Sequence, residues 1–266
     1  MAYIEGVGSL EMGSPHLKMI KPYYDHNGIQ IYLGDCLEIM PELERNVDVV
    51  CYSPPYNKAY ANRRDVKSVS AWRQRNIEYL SFKDDMPEKD YQEWQIQILN
   101  SISFNILKGT GSVFYNHKNR IKDNQIISPF EWLLKSPFVV RQQITWDRKG
   151  SPQIAPIRFL PTTEYIFWLT PKPLTIDFNS ECQIYKEVWS IPAKADPGHP
   201  ASFPVELPLR CIKAINNCEI VCDPLMGIGK TLVAAIRLGK KAIGIEIEEK
   251  YCEIATRRLA QGVLEF

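Results

Sequence analysis

Short runs of apolar residues punctuate this chain and stop abruptly. Val47 to Tyr52 (Val-Asp-Val-Val-Cys-Tyr) is the clearest and reads as a strand buried on both faces. It ends at Ser53-Pro54-Pro55-Tyr56, because neither proline can donate to a strand ladder. Ile29 to Leu33 alternates and predicts a second strand, followed by a turn at Gly34-Asp35 and a short helix through Met40. Strands are also expected at 111–116, 139–146, 164–169, 219–222 and 242–247. Helices are expected at 87–107, 130–134, 204–215, 231–238 and 249–259. Residues 1–28 read as an irregular lead-in and 171–195 as poorly regular. Strands alternating with helices predict an α/β fold with a mostly parallel, doubly wound sheet. Ligands of such sheets lie beyond the carboxyl ends of the strands, so the residues just after each strand carry the chemistry.

Composition narrows the class. The chain has 266 residues, 45% apolar and 24% charged, which is ordinary globular usage and excludes disordered, collagenous and coiled-coil proteins. The expectation is one domain spanning 1–266, with no membrane span, no signal peptide and a cytoplasmic location. Seven cysteines, none as Cys-x-x-Cys, argue against a disulfide framework or a zinc ribbon, and no metal is expected. The formal net charge is only +1. It is unevenly spread, however. Residues 57–76 hold six basic residues (Lys58, Arg63, Arg64, Lys67, Arg73, Arg75) and one acid, with Tyr60 and Trp72 between them. Residues 111–160 hold eight basic residues against three acids, among them Arg120, Lys122, Arg148, Lys149 and Arg158. Such segments suit a phosphate backbone, so the 57–90 insertion is a candidate nucleic-acid-binding segment. A solvated polar loop explains the same composition.

Two strand ends stand out. Asp223-Pro224-Leu225-Met226-Gly227-Ile228-Gly229-Lys230-Thr231 joins a strand to a helix. The glycines permit close approach of a ligand, and the helix start offers free N–H groups. As a P-loop it lacks the first glycine, since Pro224 stands there. As a dinucleotide fingerprint it lacks the third, since Leu232 stands there. With acids at both strand ends (Asp223, and Glu246 before Ile247), an S-adenosylmethionine site is the third reading, and Glu246 is placed to bind ribose hydroxyls. At Ser53-Pro54-Pro55-Tyr56, a rigid turn offers the Ser53 hydroxyl and the Pro54 carbonyl as acceptors. Two acceptors on an exocyclic base amine would localise its lone pair and aim it at a methyl group, while Tyr56 presents a ring to an extruded base. A strand-ending turn with a packed tyrosine is the plain alternative.

The two motifs in this order resemble the beta class of DNA amino-methyltransferases, in which the catalytic tetrapeptide precedes the cofactor motif. Ser53-Pro54-Pro55-Tyr56-Asn57 is similar to the family's catalytic motif, and Asp223 to Thr231 to its cofactor motif, with departures at Leu225, Ile228 and Lys230. His199-Pro200-Ala201-Ser202-Phe203-Pro204 resembles the segment folding over the cofactor. Asp35-Cys36 resembles the motif whose acid reads the cofactor's adenine amine, and Trp146 to Tyr165 resembles a strand pair. The resemblance spans Ile29 to Leu259. It implies the Rossmann-like S-adenosylmethionine-dependent methyltransferase fold, S-adenosyl-L-methionine as cofactor, base flipping, and DNA as substrate, with the basic insertion 57–90 and the short segment 148–195 as candidates for DNA recognition. It also implies a homodimer and a restriction–modification setting with a cognate endonuclease and a nucleoid-associated protein. Family members with Ser at the first motif position mostly methylate cytosine N4. A serine can accept from that amine and also donate to a ring nitrogen such as cytosine N3. The N6 amine of adenine, and a non-catalytic DNA-binding module on the same fold, stay open. Carbon-5 cytosine methyltransferases are set aside because they need a Pro-Cys nucleophile. Cys51 precedes the prolines and reads as a core residue. His117 reads as a surface residue, with a substrate contact as the alternative, and Asp147 and Glu164 read equally as ion-pair partners or substrate contacts.

Overall fold

The computed structural model describes residues 20–57, 84–150, 159–171, 177–193 and 203–262. Eleven strands and six α-helices are seen among them. The first half contains β1 (Tyr24–His26), β2 (Ile29–Leu33), α1 (Cys36–Ile39), β3 (Val47–Tyr52), α2 (Glu88–Ser101) and β4 (Leu107–His117). Next come β5 (Arg120–Lys122), β6 (Gln125–Ile127), α3 (Phe130–Leu133), β7 (Val139–Asp147), β8 (Thr163–Thr170) and β9 (Val188–Ser190). The chain closes with α4 (Glu206–Lys213), β10 (Ile220–Asp223), α5 (Lys230–Arg237), β11 (Lys241–Glu246) and α6 (Glu249–Gly262).

Nine strands form one sheet in the order β1-β2-β11-β10-β3-β4-β8-β7-β9. The centre, β2-β11-β10-β3-β4, is wholly parallel, while β8 and β7 add antiparallel strands on one side and β1 folds back on β2 on the other. Two apolar cores cover the two faces. One holds Leu207, Cys211, Leu232, Ala235, Cys252 and Leu259 from α4, α5 and α6; the other holds Tyr91, Ile98, Leu99, Trp132 and Leu133 from α2 and α3. That double cover is why β3 reads as an almost unbroken apolar run: Val47, Val49, Val50 and Tyr52 are fully buried.

Adjacent strands β10 and β3 send their crossovers in opposite directions, β10 through α5 to β11 and β3 through α2 to β4. The crevice at their carboxyl ends is therefore the topological switch point of the sheet. Asp48 fastens the opposite end of the same pair. Its Oδ2 accepts the backbone N–H groups of Glu219 and Ile220, each at 2.9 Å, and its Oδ1 meets Lys108 Nζ at 2.7 Å.

Several expectations need correction. The lead-in is not wholly irregular, because Tyr24–His26 pairs with Ile29–Ile31 across Asn27-Gly28. The insertion gives way to helix before residue 90, since α2 begins at Glu88. The long helix expected at 87–107 ends as α-helix at Ser101 and continues as one π-helical stretch, Ile102–Ile106. The fourth strand begins at Leu107, four residues earlier than expected. Among the described residues, no helix is long and apolar enough to cross a membrane.

Candidate functional site

The two strand ends singled out by sequence meet at the switch point. Thr231 Oγ1 lies 3.2 Å from the Cys51 carbonyl, 180 positions away, and donates to Asp223 Oδ2 at 2.6 Å. The diproline turn and the glycine turn thus leave the carboxyl ends of two neighbouring strands.

On the glycine side, backbone geometry explains the residue types. Gly227 and Gly229 take φ of 52° and 77°, in the left-handed region that glycine tolerates. A Cβ on Gly244 in β11 would run into Met226 Sδ. Asp223 and Glu246 end neighbouring parallel strands. Asp223 is fully buried and accepts from Leu225 N at 3.1 Å and from Thr231. Glu246 accepts from Gly227 N and Glu248 N, each at 2.9 Å. Burial pushes the Asp223 carboxyl up from 3.8 to about 7, against the Thr231 and Leu225 bonds, with the Glu246 charge adding to it. Burial also raises Glu246 to about 7. Two desolvated carboxyls with raised pKa beside a glycine cradle suit a ligand that brings hydroxyl or ammonium donors. Asp35 caps α1, accepting from Leu37 N at 2.8 Å, and Cys36 is buried at the start of that helix. Pro224 and Met226 are buried in the turn, while Ile247 is exposed beyond β11. Phe203 packs, half-buried, against the core carrying α4, and Pro204 follows it.

On the diproline side, Pro54 is buried and Ser53 half-buried. The Pro55 carbonyl is taken by the Tyr91 hydroxyl from α2 at 2.7 Å, which holds the turn from behind. The expected acceptors, Ser53 Oγ and the Pro54 carbonyl, lie just upstream of that clamp. Tyr56 retains 8% exposure, and its ring centroid lies 4.5 Å from that of His117. The ring is thus mainly packed in the protein, and a stacking role has only that small remainder to work with. Its hydroxyl reaches Ser53 Oγ at 2.9 Å, Glu164 Oε2 at 2.9 Å and Asn116 Oδ1 at 3.1 Å. Asn57 takes φ of 51° and donates from Nδ2 to the Met86 carbonyl at 2.9 Å. Both ends of the basic insertion are therefore anchored at the turn.

Other residues fall differently from expectation. His117 is fully buried, with Nε2 2.8 Å from Tyr91 Oη and Nδ1 2.7 Å from the Lys118 carbonyl, so it is no surface residue. Arg120 grips Glu88 with two hydrogen bonds of 2.6 and 2.8 Å and is buried, which removes it from a DNA-facing role. Arg148 pairs with Glu164 at 2.8 Å and Lys149 with Asp147 at 2.8 Å, both near the amino end of β8. Lys58, Arg63, Arg64, Arg73, Arg75 and His199 lie outside the described residues. Sequence reasoning missed Tyr91 and Asn116 as site residues. Tyr91 carries a signal, since it shares the buried face of α2 with Gln95 and Ile98. The role of Asn116 depends on Tyr56, 60 positions away, and has no local signature.

The chain is similar to known proteins in sequence and in fold. The chain is 26% identical over 280 residues to the Type II methyltransferase M.ScaI of Streptomyces caespitosus, covering 90% of this chain and 84% of that one. Among solved structures, the M1.HpyAVI–SAM complex aligns with a TM-score of 0.59 at 24% identity, over 86% of this chain and 99% of its own. The cytosine-N4-specific PvuII DNA methyltransferase aligns with a TM-score of 0.65 at 17% identity, over 90% and 95%. Both likenesses speak to the fold, which is that of the S-adenosylmethionine-dependent methyltransferases. The family model described as DNA methylase, of the N6/N4 type, matches residues 47–257, from the strand before the diproline turn to the last helix. On that match, the chain belongs to the DNA methylase family.

Proposed function

We propose that this protein transfers a methyl group from S-adenosyl-L-methionine to the exocyclic N4 amine of a cytosine flipped out of DNA. When bound, the cofactor supplies an electrophilic methyl group on a sulfonium. The protein contributes orientation and electrostatics, with no covalent nucleophile. Asp223, Glu246 and the Met226–Gly229 turn hold the cofactor, with Asp35, Cys36, His199, Phe203, Pro204, Pro224, Thr231 and Ile247 around it. Ser53 Oγ and the Pro54 carbonyl accept N–H bonds from the amine and localise its lone pair. Pro55 and Tyr91 keep the turn rigid, and Tyr56 borders the base. Lys58, Arg63, Arg64, Arg73, Arg75 and the exposed Lys149 are assigned to the phosphate backbone, while Arg148 is engaged by Glu164.

The observation that supports this reading is the 3.2 Å approach of Thr231, at the end of the glycine turn, to the Cys51 carbonyl just before Ser53, which joins the two motifs at neighbouring strand ends. The family resemblance supports cytosine over adenine, since members with serine at the first motif position mostly methylate cytosine N4. The experiment is methylation of DNA from a host lacking its own methylases, digestion to nucleosides and identification of the product by mass. N4-methylcytosine is expected. N6-methyladenine would move the assignment to adenine, and DNA binding with no methylated nucleoside and no cofactor uptake in a calorimetric titration would leave a DNA-binding module. Ser53→Ala is expected to cut methyl transfer by about 100-fold or more with cofactor affinity retained, the scale of removing one positioned transition-state hydrogen bond.

A further inference from the structure

The hydrogen bonds around Tyr56 have a direction. A phenol holds one proton. Glu164 Oε2, at 2.9 Å, and Asn116 Oδ1, at 3.1 Å, can only accept from it. Asn116 is kept in that orientation because its Nδ2 donates to the Tyr165 carbonyl at 3.0 Å. With the tyrosine proton committed to those acceptors, the 2.9 Å contact to Ser53 Oγ is made by the serine's own proton. Glu164 is 5% exposed, and its other oxygen is fixed by Arg148 Nη1 at 2.8 Å. Burial first, and the Glu164 charge second, push the Tyr56 phenol well above its ordinary value, so it keeps its proton at neutral pH.

We propose that Glu164 is a positioning residue. Through Tyr56 it turns the Ser53 hydroxyl so that the proton points into the protein and the lone pairs face the target amine. Ser53 then acts as an acceptor only, as a carboxylate would, without carrying a buried charge. This rests on the reading of Ser53 as an amine acceptor. It alters one part of that reading: with its proton engaged, Ser53 does not donate to a ring nitrogen, so discrimination between bases must come from elsewhere in the pocket.

The test is a set of single-turnover methylation rates with labelled S-adenosylmethionine, using DNA from a methylase-deficient host as the probe. Glu164→Gln and Tyr56→Phe are each expected to lower the rate about 10- to 100-fold, the range for losing one charge-assisted hydrogen bond. Half-saturating DNA concentration and cofactor dissociation constant should move less than about threefold, a margin that leaves binding contacts intact. In a Ser53→Ala background, neither substitution should lower the rate further, because the hydroxyl they orient is gone. A merely structural role would cost the same in both backgrounds, and that result overturns the proposal. So does an unchanged rate in Tyr56→Phe, which leaves the Arg148–Glu164 pair intact and decides the matter alone should Glu164→Gln fail to bind cofactor. Ser53→Ala at the wild-type rate would instead remove the acceptor reading itself, and the proposal with it. Ser53→Ala impaired with Tyr56→Phe unimpaired removes the proposal alone.

Discussion

Replacing Asp223 by asparagine removes a negative charge from a fully buried strand end while leaving its hydrogen bonds satisfiable. The amide oxygen of the new side chain can keep the Leu225 N–H, held at 3.1 Å in the wild type. Its NH2 group can donate to Thr231 Oγ1, which then passes its own proton to the Cys51 carbonyl, already at 3.2 Å. The size of the effect follows from the pKa. Asp223 titrates at about 7 in the folded protein against 3.8 ordinarily. At ~1.4 kcal/mol per unit, folding around the ionised form costs up to about 4 kcal/mol. Between these two values the folded state holds a proton that the unfolded state has released. Wild-type stability from this group is therefore fully present below pH 3.8 and is lost as pH rises through about 7. The asparagine variant lacks the loss. Without cofactor, Asp223→Asn should match wild type near pH 4 and be roughly 2–4 kcal/mol more stable above pH 7, the lower bound allowing for the shared titration with Glu246. Denaturant unfolding across pH 4–8 measures the difference, and calorimetry should show cofactor affinity weakened about tenfold, the loss of one hydrogen bond to a charged group. A stability difference that is flat with pH would refute the argument that the buried charge is the cause.

Three further outcomes are expected. Gly244→Ala drives a Cβ into Met226 Sδ and to 3.0 Å from Leu232 Cδ2. It should destabilise by about 1–3 kcal/mol in urea unfolding, as overpacking does, and weaken cofactor binding by distorting the turn. Asp48→Ala strips the acceptor from two backbone N–H groups at the base of β10 and should cost about 1–3 kcal/mol, with methylation at saturating substrate unchanged. Tyr91→Phe releases the Pro55 carbonyl and should lower the methylation rate about tenfold at unchanged cofactor affinity, the effect of loosening a positioned turn.

What was legible in the sequence is what local physics decides. Val47–Tyr52 is matched to the residue, because burial on both faces requires an apolar run and two prolines end it without ambiguity. The glycine turn is legible because its left-handed φ values demand glycine. The hairpin β1–β2 was also within reach, since Asn27-Gly28, with φ of 50° and 78°, is the residue pair that a tight two-residue hairpin selects. Asp123-Asn124 does the same for β5–β6, with φ of 49° and 61°. The break in the helix after Ser101 was not within reach, because Ile98, Ile102 and Ile106 keep a four-residue spacing that fits an α-helix as well as the π stretch.

The polar residues behind the site are illegible for a different reason. A buried histidine, glutamate or asparagine is tolerated only where partners satisfy it, and those partners come from remote strands. Glu164 reaches Tyr56 across 108 positions, and His117 reaches Tyr91 across 26. Nothing beside Glu164 in the chain marks it, since Thr-Glu-Tyr at the start of a strand reads the same whether the carboxylate faces water or a phenol. The sheet makes the difference: β8 runs antiparallel to β4, so its amino end lies beside the carboxyl end of that strand, with Tyr165 paired to His117 and Ile166 to Asn116. An antiparallel strand added to a parallel sheet thus delivers its first residues, rather than its last, to the edge where the parallel strands lead into the diproline and glycine turns. The sequence offers Glu164 as an ion-pair partner or a substrate contact without choosing; the opening of β8 makes it both the partner of Arg148 and the acid that faces the tyrosine.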